Sequence, residues 1–108
     1  MEVLDHAERG WYLLADDGRL LLDVHVSHGP VSSSLVISLD DTERNAYRAE
    51  GPAYLDRLAA QIQDSAPLAP GSASPYRARD LTAEVGDELT RKVVAWREQH
   101  TTDPDASA

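Results

Sequence analysis

The chain has 108 residues, a hydrophobic fraction of 42%, a charged fraction of 27% and a formal net charge of −9 at pH 7. These values are ordinary for a folded protein, and the length suits one domain with one modest core. The lack of cysteine excludes disulfides, thiolate nucleophiles and cysteine zinc sites. The negative charge disfavours nucleic-acid binding through a basic patch.

The compartment is inferred from the same features. No stretch approaches the roughly 20 apolar residues of a membrane span, and the acidic N-terminal segment does not have the basic start of a secretory leader. We therefore expect a cytoplasmic protein that binds neither membrane nor nucleic acid.

The first long pattern, residues 11–39, predicts a three-stranded antiparallel meander. Side chains alternate between the two faces of a strand. Apolar residues accordingly fill nearly every second position in two successive strands, as Leu20, Leu22, Val24 and Val26 and then as Val31, Leu35, Ile37 and Leu39. The opposite face is polar except for Leu21 and Val36, and Asp17-Gly18 supplies a tight hairpin turn. Residues 1–9 have too few large apolar side chains to decide between a strand and a helical turn.

Two helices are predicted after the meander, at about 42–50 and 52–64. Asp40 is a capping residue for the first, and Gly51-Pro52 separates the two because glycine ends helices and proline starts them. One continuous helix bent at Gly51 is the alternative.

The third helix is predicted at about 80–100. Its apolar stripe recurs at helical spacing, as Leu81, Val85, Leu89, Val93 and Trp96. The preceding residues, 65–75, are rich in proline and serine and predict a loop, and 75–79 could add a short edge strand. Trp96 and Trp11 are expected to close one core together.

The predicted fold class is α+β, with the three-stranded meander packed on one face by two or three C-terminal helices. Residues 1–100 form the single domain in this prediction, and 101–108 form a disordered tail.

The most suggestive polar residues of the meander are Asp23, His25 and Ser27, with His28 just beyond them. Asp23 and His25 are two positions apart on one strand, so their side chains share a face. The pattern supplies neither a nucleophile with its base nor a third metal ligand, so we expect no catalytic site, no metal and no cofactor. The polar outer face of a half-buried sheet is the plainer interpretation of these residues.

The second polar group is Tyr76, Arg77 and Arg79, the basic-aromatic cluster of the chain. Arginine and tyrosine are enriched at anion sites and at protein interfaces. A solvated loop is the plainer interpretation.

Charge and the lack of a catalytic motif favour a non-enzymatic protein-interaction module of adaptor, immunity or regulatory type, with a basic or neutral partner. Composition and layout are similar to those of many small acidic bacterial proteins, but no motif indicates a particular family. The alternative is a small-molecule or anion-binding protein, or a small enzyme, with a pocket between the sheet and the 65–79 loop. A homodimer through an edge strand or the last helix is a further expectation.

Overall fold

The computed structural model describes residues 1–7, 10–28, 31–67, 69 and 71–100. Of residues 27, 28, 31, 32 and 100 only the backbone is described. The predicted tail lies outside the described residues.

The predicted α+β class is confirmed, but the antiparallel sheet that precedes the three helices has four strands and not the three that were predicted. The strands, in spatial as in chain order, are β1 (Glu2–Ala7), β2 (Trp11–Asp16), β3 (Arg19–His28) and β4 (Val31–Ser38). The helices are α1 (Asp41–Glu50), α2 (Pro52–Asp64) and α3 (Thr82–His100), with a short 3-10 helix at Arg77–Arg79. Among the described helices none is long and apolar enough to cross a membrane.

The strand that the sequence left undecided is β1, and a bulge explains why its pattern was hard to read. The register with β2 shifts between Val3 and Asp5. Val3 therefore packs with the α3 side of the sheet, while Asp5 accepts a hydrogen bond from Tyr47 Oη of α1 at 3.3 Å. A bulge changes the phase of alternation, so a period of two does not hold along this strand.

The predicted turn and caps are present. Asp17 and Gly18 have positive φ angles of 51° and 83° and join β2 to β3. Asp40 and Glu43 form a reciprocal capping box at the start of α1. Gly51, with φ 72°, separates α1 from α2, so the chain has two helices here and not one bent helix.

The main core lies between the sheet and α2. Its buried residues are the predicted strand stripes and the predicted face of α2: Trp11, Leu13, Leu22, Val24, Val26, Leu35, Ile37, Leu39, Leu55, Leu58 and Ile62.

A second core lies on the opposite face, so the one-face packing predicted for two or three helices does not include the third helix. Leu14, Leu21 and Val36 are buried there against Leu89 and Val93 of α3. Leu21 and Val36, the two apolar residues in the otherwise polar pattern, are thus residues against which α3 packs. Burying each such side chain is worth about 1.5–3 kcal/mol, which is enough to hold an amphipathic helix on this face.

The two tryptophans consequently lie on opposite faces, so the prediction that they close one core is wrong. Trp11 is in the α2 core and its Nε1 donates to Asp56 Oδ1 at 2.9 Å. Trp96 lies on the α3 side, with its ring centroid 4.6 Å from that of His6.

Residues 75–79 do not add the edge strand considered for them, since Arg77–Arg79 form a 3-10 helix, and residues 79–82 cover the outer edge of β4. Leu81 N donates to Val36 O at 2.7 Å, and Val36 N donates to Thr82 Oγ1 at 3.1 Å. Arg79 donates to Ser38 O at 2.8 Å. These bonds occupy backbone groups that an open edge would offer to another strand.

Candidate functional site

A group of converging polar side chains lies between α3 and the sheet, around a cavity of about 400 Å³. We call it the α3 cavity. Its polar wall comprises Tyr12, Asp23, His25, Ser34, Thr90 and Arg97.

The sheet register brings the strand residues of this wall together. Tyr12 of β2 is the cross-strand partner of Asp23, and Ser34 of β4 is the partner of His25. Since directly opposed side chains point to the same face, the four groups lie side by side on the α3 side of the sheet. Packing of α3 over Leu14, Leu21 and Val36 then places Thr90 and Arg97 at the same cavity.

Asp23 is the unusual member of the wall. Its Oδ1 is buried and has no hydrogen-bond partner in the described part of the chain. Burial raises the pKa of the Asp23 carboxyl, and the Ser34 hydroxyl and the charges of Arg97 and His25 only partly oppose that rise. A carboxylate held in this environment is destabilised relative to one in water.

Arg97 lies on the exposed side of the cavity and is oriented by Tyr12. Its Nε donates to Tyr12 Oη at 2.8 Å, and its guanidinium carbon lies 5.4 Å from the centroid of the Tyr12 ring. The hydrogen bond and the cation–π contact together fix a positive charge at the cavity.

Tyr12 also joins the cavity to an aromatic group on the same face. The ring of His6 stacks on that of Tyr12 with centroids 5.6 Å apart, and the Trp96 ring lies 6.0 Å from Tyr12 at a steep angle. These contacts restrict the Tyr12 ring, and with it the position of Arg97.

A second cavity, of about 450 Å³, lies on the α2 side of the sheet. Asp56 is on its wall, but this carboxylate already accepts from Trp11 Nε1. His25 is shared by both cavities. The second cavity therefore offers less uncommitted polar chemistry than the first.

Of the sequence-predicted residues, Asp23 and His25 are brought together with other polar groups at the α3 cavity. The side chain of His28 lies outside the described residues, although its backbone ends β3.

Tyr76, Arg77 and Arg79 line neither cavity and hold the loop to the core. Arg79 makes a two-pronged bond to the buried Glu43, at 2.9 Å to Oε2 and 2.6 Å to Oε1. That bond raises the pKa of Arg79. Arg77 donates to Ala69 O at 3.1 Å. The charge of Arg79 is thus used in a contact that stabilises the fold. Neither of the two cavities is lined by described residues of the 65–79 loop, beside which the pocket was expected.

Four residues of the wall, Tyr12, Ser34, Thr90 and Arg97, were missed in the sequence, and Tyr12 had a readable signal. A two-residue turn at Asp17-Gly18 pairs Asp16 with Arg19 and, counting outward, Tyr12 with Asp23. Arg97 had no such signal, because its place depends on which face of the sheet α3 covers.

Among the described residues, no group of three histidine, cysteine, aspartate or glutamate side chains is placed to hold a metal ion. No protein-family model, curated protein or solved structure matches this chain. Function must therefore be argued from the geometry of the α3 cavity.

Proposed function

We propose that the protein is a non-enzymatic binding protein for a small molecule, and that the α3 cavity is its site. The observation that carries this proposal is the Asp23 carboxyl at the cavity wall, with a buried oxygen that has no described hydrogen-bond partner. An unsatisfied buried polar atom costs about 1–3 kcal/mol. A group retained at such a cost is a candidate for function, because binding sites commonly reduce stability.

The dimensions of the cavity support the same proposal. Small-molecule sites are concave, usually about 300–1,000 Å³, and combine apolar walls with a few placed polar groups. The α3 cavity has a volume of about 400 Å³ and adds Ala7, Val93 and Val94 to its polar wall.

Binding is favoured over catalysis by the partners of Ser34. Its hydroxyl donates to the Asp23 carboxyl. A nucleophilic serine instead needs its hydrogen bond directed to a general base, usually histidine. Here Ser34 stabilises a carboxylate and is not itself activated by it.

The test is a small-molecule screen by thermal shift, repeated on two surface variants. Val94→Trp places a large side chain at the cavity, and Leu4→Trp is its matched control because Val94 and Leu4 are similarly exposed, at 44% and 49%. Leu4 does not line the α3 cavity.

We expect at least one compound to stabilise the wild type and the Leu4→Trp variant but not the Val94→Trp variant. If no compound stabilises the wild type, or if every stabilising compound acts equally on Val94→Trp, the α3 cavity is not a binding site.

A protein-interaction module remains the second proposal, favoured by the 19 acidic against 10 basic residues. The large exposed hydrophobic residues of the described chain are Leu4 and Val94. They lie on separate elements, β1 and α3, and do not by themselves make the apolar centre that stable protein interfaces usually have. Affinity capture from the native host tests this proposal, and failure to recover a reproducible partner at low and physiological salt would contradict it. The homodimer and the cytoplasmic location also stay predictions.

A further inference from the structure

We propose that the ligand of the α3 cavity is a small zwitterion of the α-amino-acid class, with its ammonium group at Asp23 and its carboxylate at Arg97. This inference rests on the proposed binding function and names the chemistry that the site would select.

The ammonium end follows from the surroundings of Asp23. Apart from Tyr12 and His25, the side-chain hydrogen-bond acceptors on this wall are the Asp23 carboxyl and the hydroxyls of Ser34 and Thr90. A ligand ammonium is a compact donor that compensates a desolvated carboxylate.

The carboxylate end follows from the opposite charge at the same cavity. Arg97 is exposed, and Tyr12 positions its guanidinium through the 2.8 Å hydrogen bond. A guanidinium matches the geometry of a carboxylate and can bind one while it donates to other groups. His25 is a second donor on this wall and is also exposed.

The two charged groups lie on the wall of the same cavity, and the positive charge of Arg97 opposes the rise in the Asp23 pKa that burial causes. A simple anion would have to approach the Asp23 carboxylate, and a simple cation would have to approach Arg97 and His25. A zwitterion meets an opposite charge at each end, and repulsion excludes both single-charge analogues.

The remainder of the ligand should be apolar and of modest size. Val93 and Val94 belong to the part of the cavity wall that α3 forms, and Ala7 belongs to the part that β1 forms. An aliphatic side chain fits this wall better than a charged one.

The experiment is calorimetric titration of the full chain with three probes that share one branched tail: L-leucine, isoamylamine and isocaproate. The amine lacks the carboxylate and the acid lacks the ammonium. We expect L-leucine to bind at least about tenfold more tightly than either analogue, as the loss of one charge-assisted hydrogen bond implies.

Two variants assign the ends. Asp23→Asn should weaken L-leucine by about tenfold or more while leaving isocaproate no weaker, and Arg97→Gln should weaken L-leucine while leaving isoamylamine no weaker. Asp87→Asn is the control, since Asp87 is an exposed carboxylate of α3 that does not line the cavity. It should leave all three titrations unchanged.

The outcomes separate this inference from the proposed function. If an analogue binds as tightly as L-leucine, the site recognises one charge and the zwitterion is wrong. If none of the three probes binds while a screened compound is lost in Val94→Trp, the zwitterion is again wrong but the cavity remains a binding site. If no screened compound is lost in Val94→Trp, both fail.

Discussion

Tyr12 lies directly opposite Asp23 across the β2–β3 pair, and both side chains line the α3 cavity. Tyr12 accepts a hydrogen bond from Arg97, and Asp23 has the buried oxygen without a described hydrogen-bond partner. The sheet and α3 thus place a carboxyl group and a guanidinium on the wall of one cavity. Glu43, by contrast, is a buried carboxylate that is fully engaged by Arg79, and this difference distinguishes the α3 cavity from the ion pairs that hold the fold.

The Arg79–Glu43 pair should be structural. We expect Arg79→Gln to lower the free energy of unfolding by about 2–3 kcal/mol, because Glu43 loses its charge-assisted partners while it stays buried. Arg77→Gln is the matched control and should cost less than about 0.5 kcal/mol, since Arg77 is exposed. Urea denaturation measures both, and equal effects would contradict a structural role specific to Arg79.

A buried residue of the second core should contribute as much to the free energy of unfolding as a buried residue on the α2 side. Leu89→Ala and Leu58→Ala should each cost about 2–5 kcal/mol, because each leucine is 2% exposed. Val94→Ala, on the exposed side of α3, should cost far less. An unfolding transition that Leu89→Ala leaves unchanged would show that α3 is not held on this face.

The cover on the β4 edge should be visible in amide exchange. Thr82→Val removes the Oγ1 that accepts from Val36 N, so the Val36 amide should exchange about tenfold faster or more. Thr42→Val, at an exposed position of α1, should leave that amide unchanged. Unaltered exchange at Val36 in Thr82→Val would mean that the edge is protected in another way.

Much of the fold was readable because local rules and tertiary packing agree. Strict alternation in β3 and β4, the Asp17-Gly18 turn and the Asp40 cap are local signals, and each has the predicted structure. What failed depends on long-range packing. The bulge after Val3 hid β1.

The second core and half of the site were hidden for a related reason. Leu21 and Val36 looked like isolated exceptions on a wet face, because nothing local indicates that a helix about 50 residues later will cover them. Asp23 and His25 could be placed on one face from alternation alone. Arg97 could not, and the loop residue Arg79 attracted attention although its charge is used inside the fold.

The free energy of unfolding should depend on pH in the direction that the raised pKa of the Asp23 carboxyl implies. Because the folded protein binds the Asp23 proton more tightly than the unfolded chain does, stability contributed at this residue falls as pH rises from the unfolded value of 3.8 through the folded pKa. The wild type and Asp23→Asn should therefore be most alike at the acid end and differ increasingly toward neutral pH. Urea unfolding of both proteins from pH 4 to pH 8 measures the difference, and a constant offset would contradict the raised pKa.

The unfolding free energy of Asp23→Asn at pH 7, set against the wild type and the exposed control Asp87→Asn, tests the central claim most directly. If Asp23 is kept for binding at the expense of stability, Asp23→Asn should be more stable than the wild type, because the neutral amide does not carry the negative charge that burial destabilises, while Asp87→Asn stays within about 0.5 kcal/mol. A less stable Asp23→Asn would show that the carboxylate supports the fold, and the main reason for assigning a ligand to the α3 cavity would be gone.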